Sequence, residues 1–329
     1  MNVKARILRA ATVRAAGAAL LALALLSGCI EAERDVAEEG ERFKANVEAA
    51  FERNATLASY VFAGSLSVPP AAATASEDAP PAAALLPAIA EGVAWHGAFH
   101  REPLALQGDV SFGAGAADDA TVPLLLRDGS LFFHIPGVNR PDEFFEVPSA
   151  NADDSPLASW LSSAGAFMEG TRTLFAAADP VWVKAADEDG NPVTWDEESG
   201  NAASTDGPIR YRIDVTEQNA EAMSAAFLER WNDWRTELPD GVVGSPTWTA
   251  DTFRLAEGGF VEVVVNADGF ATEQRLHLSV ASDAEGGRID YALSLSALNA
   301  APSPSAEAPK ETLPFEQVLK FLAASAAGK

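Results

Sequence analysis

Two hydrophobic periods alternate along the chain, one typical of helices and the other typical of strands. From Glu31 to about Asn54 apolar residues recur every three or four positions, which predicts an amphipathic helix. The same spacing returns over residues 155–168 and over 216–237, where Thr216 is a candidate N-cap. A short amphipathic segment over residues 315–323 completes the predicted helices.

Between these helices, apolar residues alternate with small or polar residues, which is the spacing of a strand with one buried face. The alternation predicts strands at residues 60–68, 95–99, 104–112, 121–127, 130–135, 144–147, 181–186, 193–195, 209–215, 260–265, 270–280 and 289–298. Short turns join several of them, such as Asp128-Gly129, a dipeptide that favours the positive φ of tight hairpins. Because hairpins make neighbouring strands antiparallel, the pattern predicts an α+β protein with an antiparallel sheet.

The amino-terminal segment carries a processing signal that ends at Cys29, the only cysteine of the chain. A leader with four basic residues precedes an uncharged run over residues 15–26, and Leu26-Ser27-Gly28-Cys29 follows. This sequence resembles the lipobox of bacterial lipoproteins. The resemblance implies that residues 1–28 are a signal peptide, that a diacylglyceryl group is attached to the Cys29 sulfur, and that the mature chain begins there.

The alternative is a transmembrane anchor with an incidental cysteine. A helix over residues 15–26 would span about 18 Å at ~1.5 Å per residue, whereas the hydrocarbon core of a bilayer is ~30 Å thick. The lipid on Cys29 is therefore the predicted membrane attachment, and the predicted location is the extracytoplasmic face of the cell membrane. In a host with two membranes, Ile30 after the cysteine favours the outer membrane.

The acidic composition restricts the partners of the mature protein. The whole chain has a net charge of −25, and loss of the four basic residues before Cys29 takes it to −29. Nucleic acid and anionic lipid head groups are excluded as partners, because their affinity for proteins comes from Lys and Arg. With Cys29 lipidated no thiol is left for a disulfide, so the fold must depend on its packed core.

The body of the chain resembles the LolA-like lipoprotein-carrier group, which includes carriers of the mycobacterial LppX and LprG type. The strand Ser59-Tyr60-Val61-Phe62-Ala63-Gly64-Ser65-Leu66 and the hairpin over residues 126–133 carry the resemblance, together with the lipobox and the opening helix. It implies a curved antiparallel sheet, a LolA/LppX-like half-barrel, with helices packed on its concave side. In the carriers an apolar cavity between sheet and helices holds acyl chains.

The predicted domain organisation follows from composition and from this resemblance. Residues 29–300 form a single carrier-like domain, interrupted by an Ala- and Pro-rich insertion at residues 69–91. Residues 301–329 are a Pro- and Ala-rich linker that leads to the short C-terminal helix.

Large aromatic residues are the candidate lining of a ligand cavity. Strand and helix spacing selects Trp95, Phe99, Phe112, Phe132, Phe145, Trp160, Phe167, Phe227 and Trp231. The alternative is that they form a plain hydrophobic core, since large apolar residues on one face of a sheet must pack somewhere.

Metal and catalytic signatures are weak. Asp187, Asp189, Asn191 and Glu198 have the spacing of a calcium loop, but Pro192 occupies the position that requires glycine, which favours a solvated hairpin instead. The four histidines lack metal-ligand spacing, and the motifs of serine nucleophiles and phosphate-binding loops are missing. The prediction is a non-catalytic protein with no cofactor and no metal.

The predicted function is therefore that of a membrane-anchored lipoprotein that binds or carries a lipid or another apolar ligand. The alternative is a scaffold of the cell envelope that binds a protein partner, not identified by the sequence, and has no small-molecule ligand. Periodicity does not separate these two, because a filled core and an empty pocket need the same apolar residues.

Overall fold

The computed structural model describes residues 35–68, 92–113, 121–136, 138–148, 170–196, 201–202, 207–237, 249, 253–281, 287–304, 307–314 and 317. Cys29 with its lipobox, the insertion at 69–91, the whole helix predicted at 155–168, and nearly all of the C-terminal helix predicted at 315–323 lie outside these residues. The predictions made for those segments stay predictions.

Fourteen strands and three helices make up the described chain. The strands are β1 Ser59–Ser67, β2 Val93–His100, β3 Ala105–Phe112, β4 Thr121–Arg127, β5 Ser130–Phe133, β6 Glu143–Pro148, β7 Val183–Ala186, β8 Trp195–Asp196, β9 Asn201–Ala202, β10 Ile209–Asp214, β11 Arg254–Val265, β12 Ala271–Ala281, β13 Gly287–Ser296 and β14 Glu311–Pro314. The helices are α1 over residues 35–54, α2 over 170–177 and α3 over Ala220–Glu237. A 3₁₀ turn at Pro180–Trp182 leads into β7.

Twelve of the described strands form one sheet in the order β14-β6-β5-β4-β3-β2-β1-β13-β12-β11-β10-β7, and β8 pairs with β9 separately. Every neighbouring pair in the large sheet is antiparallel except β14 and β6, which are parallel. The predicted α+β class with an antiparallel sheet is confirmed. The hairpin at Asp128-Gly129 is confirmed too, with φ of 54° and 78° at these two residues.

Some boundaries differ from the prediction. The sequence pattern did not predict β14, which has only four residues and pairs with the edge strand β6. Strand β11 begins at Arg254 rather than at residue 260, because a bulge between Ala256 and Phe260 interrupts the alternation. Helix α3 begins at Ala220, four residues after the predicted cap Thr216.

Strand register places nearly all large apolar side chains on one face of the sheet. Phe62 of β1 lies between Gly97 of β2 and Leu295 of β13, and equivalent rows continue to both edges. This inner face carries Phe62, Leu66, Trp95, Val110, Leu124, Phe133, Phe145, Tyr211, Val263, Gln274, Leu276, Tyr291 and Leu293, as strand alternation and the pairing register require. The opposite, outer face is largely polar.

All three helices pack on the inner face. Phe43 of α1, Phe175 of α2 and Phe227 of α3 belong to one buried core together with residues of β7, β10, β11, β12 and β13. The predicted placement of helices on one side of the sheet is therefore confirmed for α1, α2 and α3.

Polar contacts fix α1 at both ends. Glu39 accepts a hydrogen bond from the backbone nitrogen of Trp195 at 2.7 Å, and Asn54 donates to the Ala271 carbonyl at 2.7 Å. In the middle of the helix Arg172 of α2 donates to the carboxylate of Glu48, and this hydrogen bond lowers the pKa of Glu48 against the opposing effect of burial. Helix α1 is thus tied to β8, to α2 and to the start of β12.

Glycine is required where aromatic rings cross the middle of the inner face. A Cβ atom on Gly97 would lie 2.4 Å from the Gln107 carbonyl oxygen and 2.8 Å from the Phe62 ring. A Cβ atom on Gly64 would lie 2.5 Å from the Trp95 indole. Both rings therefore lie directly on the backbone of a neighbouring strand.

We expect Gly97→Ala to destabilise the protein by about 1–3 kcal/mol, because the new methyl group meets backbone atoms of β3 that cannot rotate away. Urea unfolding followed by tryptophan fluorescence measures the change. Gly170→Ala is the matched control, since a Cβ atom there has no neighbour within 4 Å among the described residues. Equal stability of the two variants would contradict the close approach described above.

Candidate functional site

The buried residues of the inner face fall into two clusters. The first cluster lies under the helices and includes Phe43, Val47, Leu174, Phe175, Tyr211, Ile213, Phe227, Val261, Val263, Leu276, Leu278, Ile289, Tyr291 and Leu293. The second cluster consists of Val93, Val110, Leu124, Leu131, Phe133, Phe145 and Val147. All seven buried members of the second cluster come from strands β2 to β6. Within the described chain, the three helices therefore contribute to the first cluster alone.

Trp95 lies at the boundary between the two clusters and packs against both of them. Its indole rests on the backbone of Gly64, and its ring centroid is 6.3 Å from that of Tyr291. Trp95 therefore lies on the inner face, and its predicted role in lining a ligand cavity stays a prediction.

The other predicted aromatic residues occupy different parts of the molecule. Phe145 is a buried member of the second cluster, and Phe112 is a partly buried neighbour of it. Phe227 belongs to the first cluster and stacks on Phe253 with ring centroids 5.0 Å apart. Phe99 contacts Tyr60 with ring centroids 5.0 Å apart, at one end of the inner face.

Phe132 requires a correction. It is buried, but it pairs with Leu125 and belongs to neither cluster, whereas its neighbour Phe133 pairs with Leu124 and belongs to the second cluster. Phe132 therefore faces the outer side of the sheet. The short strand Ser130–Phe133 ends in two consecutive phenylalanines, so the alternation of side chains does not indicate which of them faces inward.

Three further predicted residues cannot be placed in the site. Trp160 and Phe167 lie outside the described residues. Trp231 falls in α3, but its side chain is not among the described ones.

Gln274 is an anomaly in the middle of the apolar surface. Its side chain is 1% exposed, and neither its amide oxygen nor its amide nitrogen has a hydrogen-bond partner in the described structure. Its cross-strand neighbours are Val263 and Leu293, which offer only hydrocarbon. An unpaired buried amide costs about 1–3 kcal/mol of stability. The sequence analysis missed this residue, although Gln274 is in phase with Leu276, Leu278 and Val280 along β12.

Two buried tyrosines share the inner face with Gln274. Burial raises the pKa of Tyr211 to about 12, although a hydrogen bond from Asn46 opposes the increase. Burial also raises the pKa of Tyr291, which lies one row from Gln274 in the pairing of β12 with β13. Both phenols are therefore neutral at physiological pH, and the polar groups at the centre of this face are uncharged.

Charged residues gather on the outer face instead. Glu262 has a side chain that is 4% exposed, and it lies 3.5 Å from Arg210, 3.6 Å from Arg212 and 3.6 Å from Arg275. The guanidinium of Arg212 also lies 4.0 Å from the centre of the Phe260 ring, which is a cation–π contact. This network neutralises a buried carboxylate and stabilises the back of the sheet.

Two residues of the calcium-loop pattern, Asp187 and Asn191, are engaged with each other, and Glu198 lies outside the described residues. The Asp187 carboxylate accepts hydrogen bonds from the backbone and side chain of Asn191, at 2.7 and 2.9 Å, and so closes the predicted turn after β7. No group of three or more His, Cys, Asp or Glu side chains in the described part of the chain is placed to hold a metal ion. Nor does any described helix combine the length and the apolar character needed to cross a membrane.

Comparison with known proteins adds one structural likeness. No family model matches the sequence, and no curated protein matches it. Among solved structures, the chain is similar to the crystal structure of the Mycobacterium tuberculosis lipoprotein LppX, with 12% sequence identity and a TM-score of 0.31. The similarity covers 80% of this chain and 96% of that one.

We expect Gln274→Met to stabilise the unliganded protein by about 1–3 kcal/mol, because methionine keeps the shape of the side chain without its unpaired amide. Urea unfolding measures the difference. Leu276→Met, two residues along the same strand and on the same face, is the matched control and should cost less than about 1.5 kcal/mol. Destabilisation by Gln274→Met would show that the amide has a partner.

Proposed function

We propose that this protein is a membrane-anchored extracytoplasmic lipoprotein that holds a lipid or another apolar ligand on the inner face of its sheet. The division of that face carries the proposal. The described helices pack on the first cluster, whereas the buried members of the second cluster come, among the described residues, from strands alone.

The second cluster has the chemistry of an acyl-chain surface. Its buried members are all aliphatic or phenylalanine, and its partly buried neighbours Trp95, Phe112 and Leu313 are apolar too. Such a surface recognises hydrocarbon by area and shape rather than by hydrogen bonds. Trp160 and Phe167, in the apolar stripe that the sequence predicts at 155–168, are proposed as further members of the lining.

The proposed anchor explains how such a protein meets its ligand. Only residues 30–34 separate Cys29 from the first described residue of α1, and five residues reach at most about 18 Å. Two acyl chains on Cys29 would bind the membrane stably, since each buried CH₂ contributes ~0.8 kcal/mol. The apolar face would thus stay within a short distance of a lipid reservoir.

Native mass spectrometry of the protein purified from the membranes of its host tests the ligand. We expect a retained lipid that denaturation releases. Val110→Phe, which enlarges a residue at the centre of the second cluster, should reduce the retained lipid several-fold because it occupies the ligand's volume. Val264→Phe is the matched control on the outer face of the sheet.

Two results would count against the proposed ligand. One is protein that leaves the membrane without lipid although it is folded. The other is an equal effect of the two phenylalanine variants, which would mean that the inner face has no special role. In the first case, crosslinking in intact cells would test the envelope-scaffold alternative.

The anchor has its own test. Cys29→Ala should move the protein from the membrane fraction into an unprocessed or soluble form, because no sulfur remains for the lipid. Ser27→Ala is the control, since alanine is also a small residue at that lipobox position. Fractionation followed by immunoblotting measures both variants. A Cys29→Ala protein that is still processed and membrane-bound would disprove the lipobox assignment.

A further inference from the structure

We propose that the amino-terminal end of α1 and the 3₁₀ turn Pro180–Trp182 form a membrane-contact patch around Val36 and Val181, which turns one end of the strands toward the bilayer. This inference rests on the proposed anchor at Cys29 and adds an orientation to it. The observation that carries it is the position of the exposed apolar side chains in the described chain.

Two of these side chains are neighbours in the fold. Among the described residues, the strongly exposed large apolar side chains are Leu104, Val36 and Val181, at 54%, 49% and 42%. Gly40, one helical turn after Val36 on the same side of α1, packs so closely on Pro180 that a Cβ atom there would overlap the Pro180 carbonyl. Val181 follows Pro180 directly. The two valines therefore belong to one exposed patch.

The patch lies at the end of α1 that is closer to the proposed anchor. The chain from Cys29 to Val36 spans at most about 25 Å when fully extended. Helix α1 adds about 30 Å before its carboxyl-terminal end. Acyl chains on Cys29 would thus enter the bilayer beside the patch, and contact with the bilayer would remove both valines from water.

The residues around the two valines indicate which lipid surface fits. Trp182 lies between the exposed Val181 and the buried Val183 and is partly buried, and tryptophan is enriched at membrane–water interfaces. Asp35 precedes Val36, Asp179 caps the 3₁₀ turn, and both are exposed. Because these carboxylates repel anionic head groups, the patch fits a zwitterionic bilayer surface.

Contact at this patch places one end of the apolar inner face toward the membrane. Val183, directly after the 3₁₀ turn, begins a row of paired residues that crosses β10, β11, β12, β13 and β1 and reaches Val93 of β2 and Phe112 of β3. Val93 is a buried member of the second cluster, and Phe112 is a partly buried neighbour of it. The proposed ligand surface therefore begins at the same end of the strands as the patch.

Leu104 is the internal control, because it lies at the opposite end of the strands. Strand β2 begins at Val93 and ends at His100, and the backbone nitrogen of the next residue, Arg101, donates to the carbonyl of Ala58 just beyond α1. Leu104 follows in this loop. The eight residues of β2 separate the two ends by about 25 Å at ~3.3 Å per residue. A label at Leu104 should therefore stay in water while the patch contacts the bilayer.

The experiment places one nitroxide label on the lipidated protein purified from the membranes of its host. Lipid on Cys29 leaves no other thiol, so Val36→Cys, Val181→Cys and Leu104→Cys each provide a single labelling site. In phosphatidylcholine vesicles, electron paramagnetic resonance compares relaxation by oxygen, which concentrates in the bilayer, with relaxation by a water-soluble nickel chelate. The oxygen-to-nickel ratio should be at least about threefold higher at Val36 and Val181 than at Leu104, as expected for side chains that enter the interface.

Two further measurements test the orientation and the lipid chemistry. In the double variant Val36→Ser/Val181→Ser, energy transfer from a dye at Leu104→Cys to an acceptor lipid should increase, because the molecule is no longer held on one end. The reference is the same dye in protein that keeps both valines. Vesicles made of equal parts phosphatidylcholine and phosphatidylglycerol should lower the ratios at Val36 and Val181 toward that at Leu104.

Flotation of the vesicles distinguishes failure of the anchor from failure of the patch. Protein that does not float with the vesicles would disprove the anchor and this inference together. Protein that floats with all three labels equally exposed to the nickel chelate would disprove the patch and leave the anchor standing. A higher ratio at Leu104 than at Val181 would reverse the orientation. Labels at Val36 and Val181 that are shielded from oxygen and nickel alike would mean that a protein covers the patch, and would overturn its assignment to the membrane.

Discussion

The fold depends on the register of twelve paired strands, which keeps the apolar side chains of every strand on the same face of the sheet. A row that begins at Tyr211 on β10 passes through Val263, Gln274 and Leu293, and continues through Gly64 to Trp95 on β2. A slip of one residue in any strand would turn its apolar set outward. Because every strand obeys the same phase, a single face receives the helices and the opposite face can carry the ion pairs around Glu262.

The same constraint explains why an irregular residue on this surface is informative. Apolar side chains on the inner face need no explanation beyond packing, and the aromatic residues alone do not separate a filled core from a ligand surface. Gln274 differs, because a buried amide without a partner is unfavourable in any packed core. Trp95 differs as well, since it packs against both clusters and lies on the backbone of Gly64.

Periodicity predicted the main features of the fold and little of the site. Regular alternation in β1, β12 and β13 was sufficient to predict these strands, and Asp128-Gly129 identified its hairpin. The local pattern did not predict the features that depend on pairing with a distant strand. These are the four residues of β14, the bulge in β11 and the face on which Phe132 lies. Gln274 alternates in step with the apolar residues of β12. Only the structure shows that its amide is buried without a hydrogen-bond partner.

The pairing of β1 with β13 has a consequence for how the molecule is made. Ser294 donates a hydrogen bond to the carbonyl of Ala63 across 231 residues, so the central strand β1 meets this neighbour only after β13 has been synthesised. Pairing over such a distance raises the entropic cost of closure and slows folding. A chain with this topology therefore leaves one edge of β1 unpaired until β13 has been synthesised.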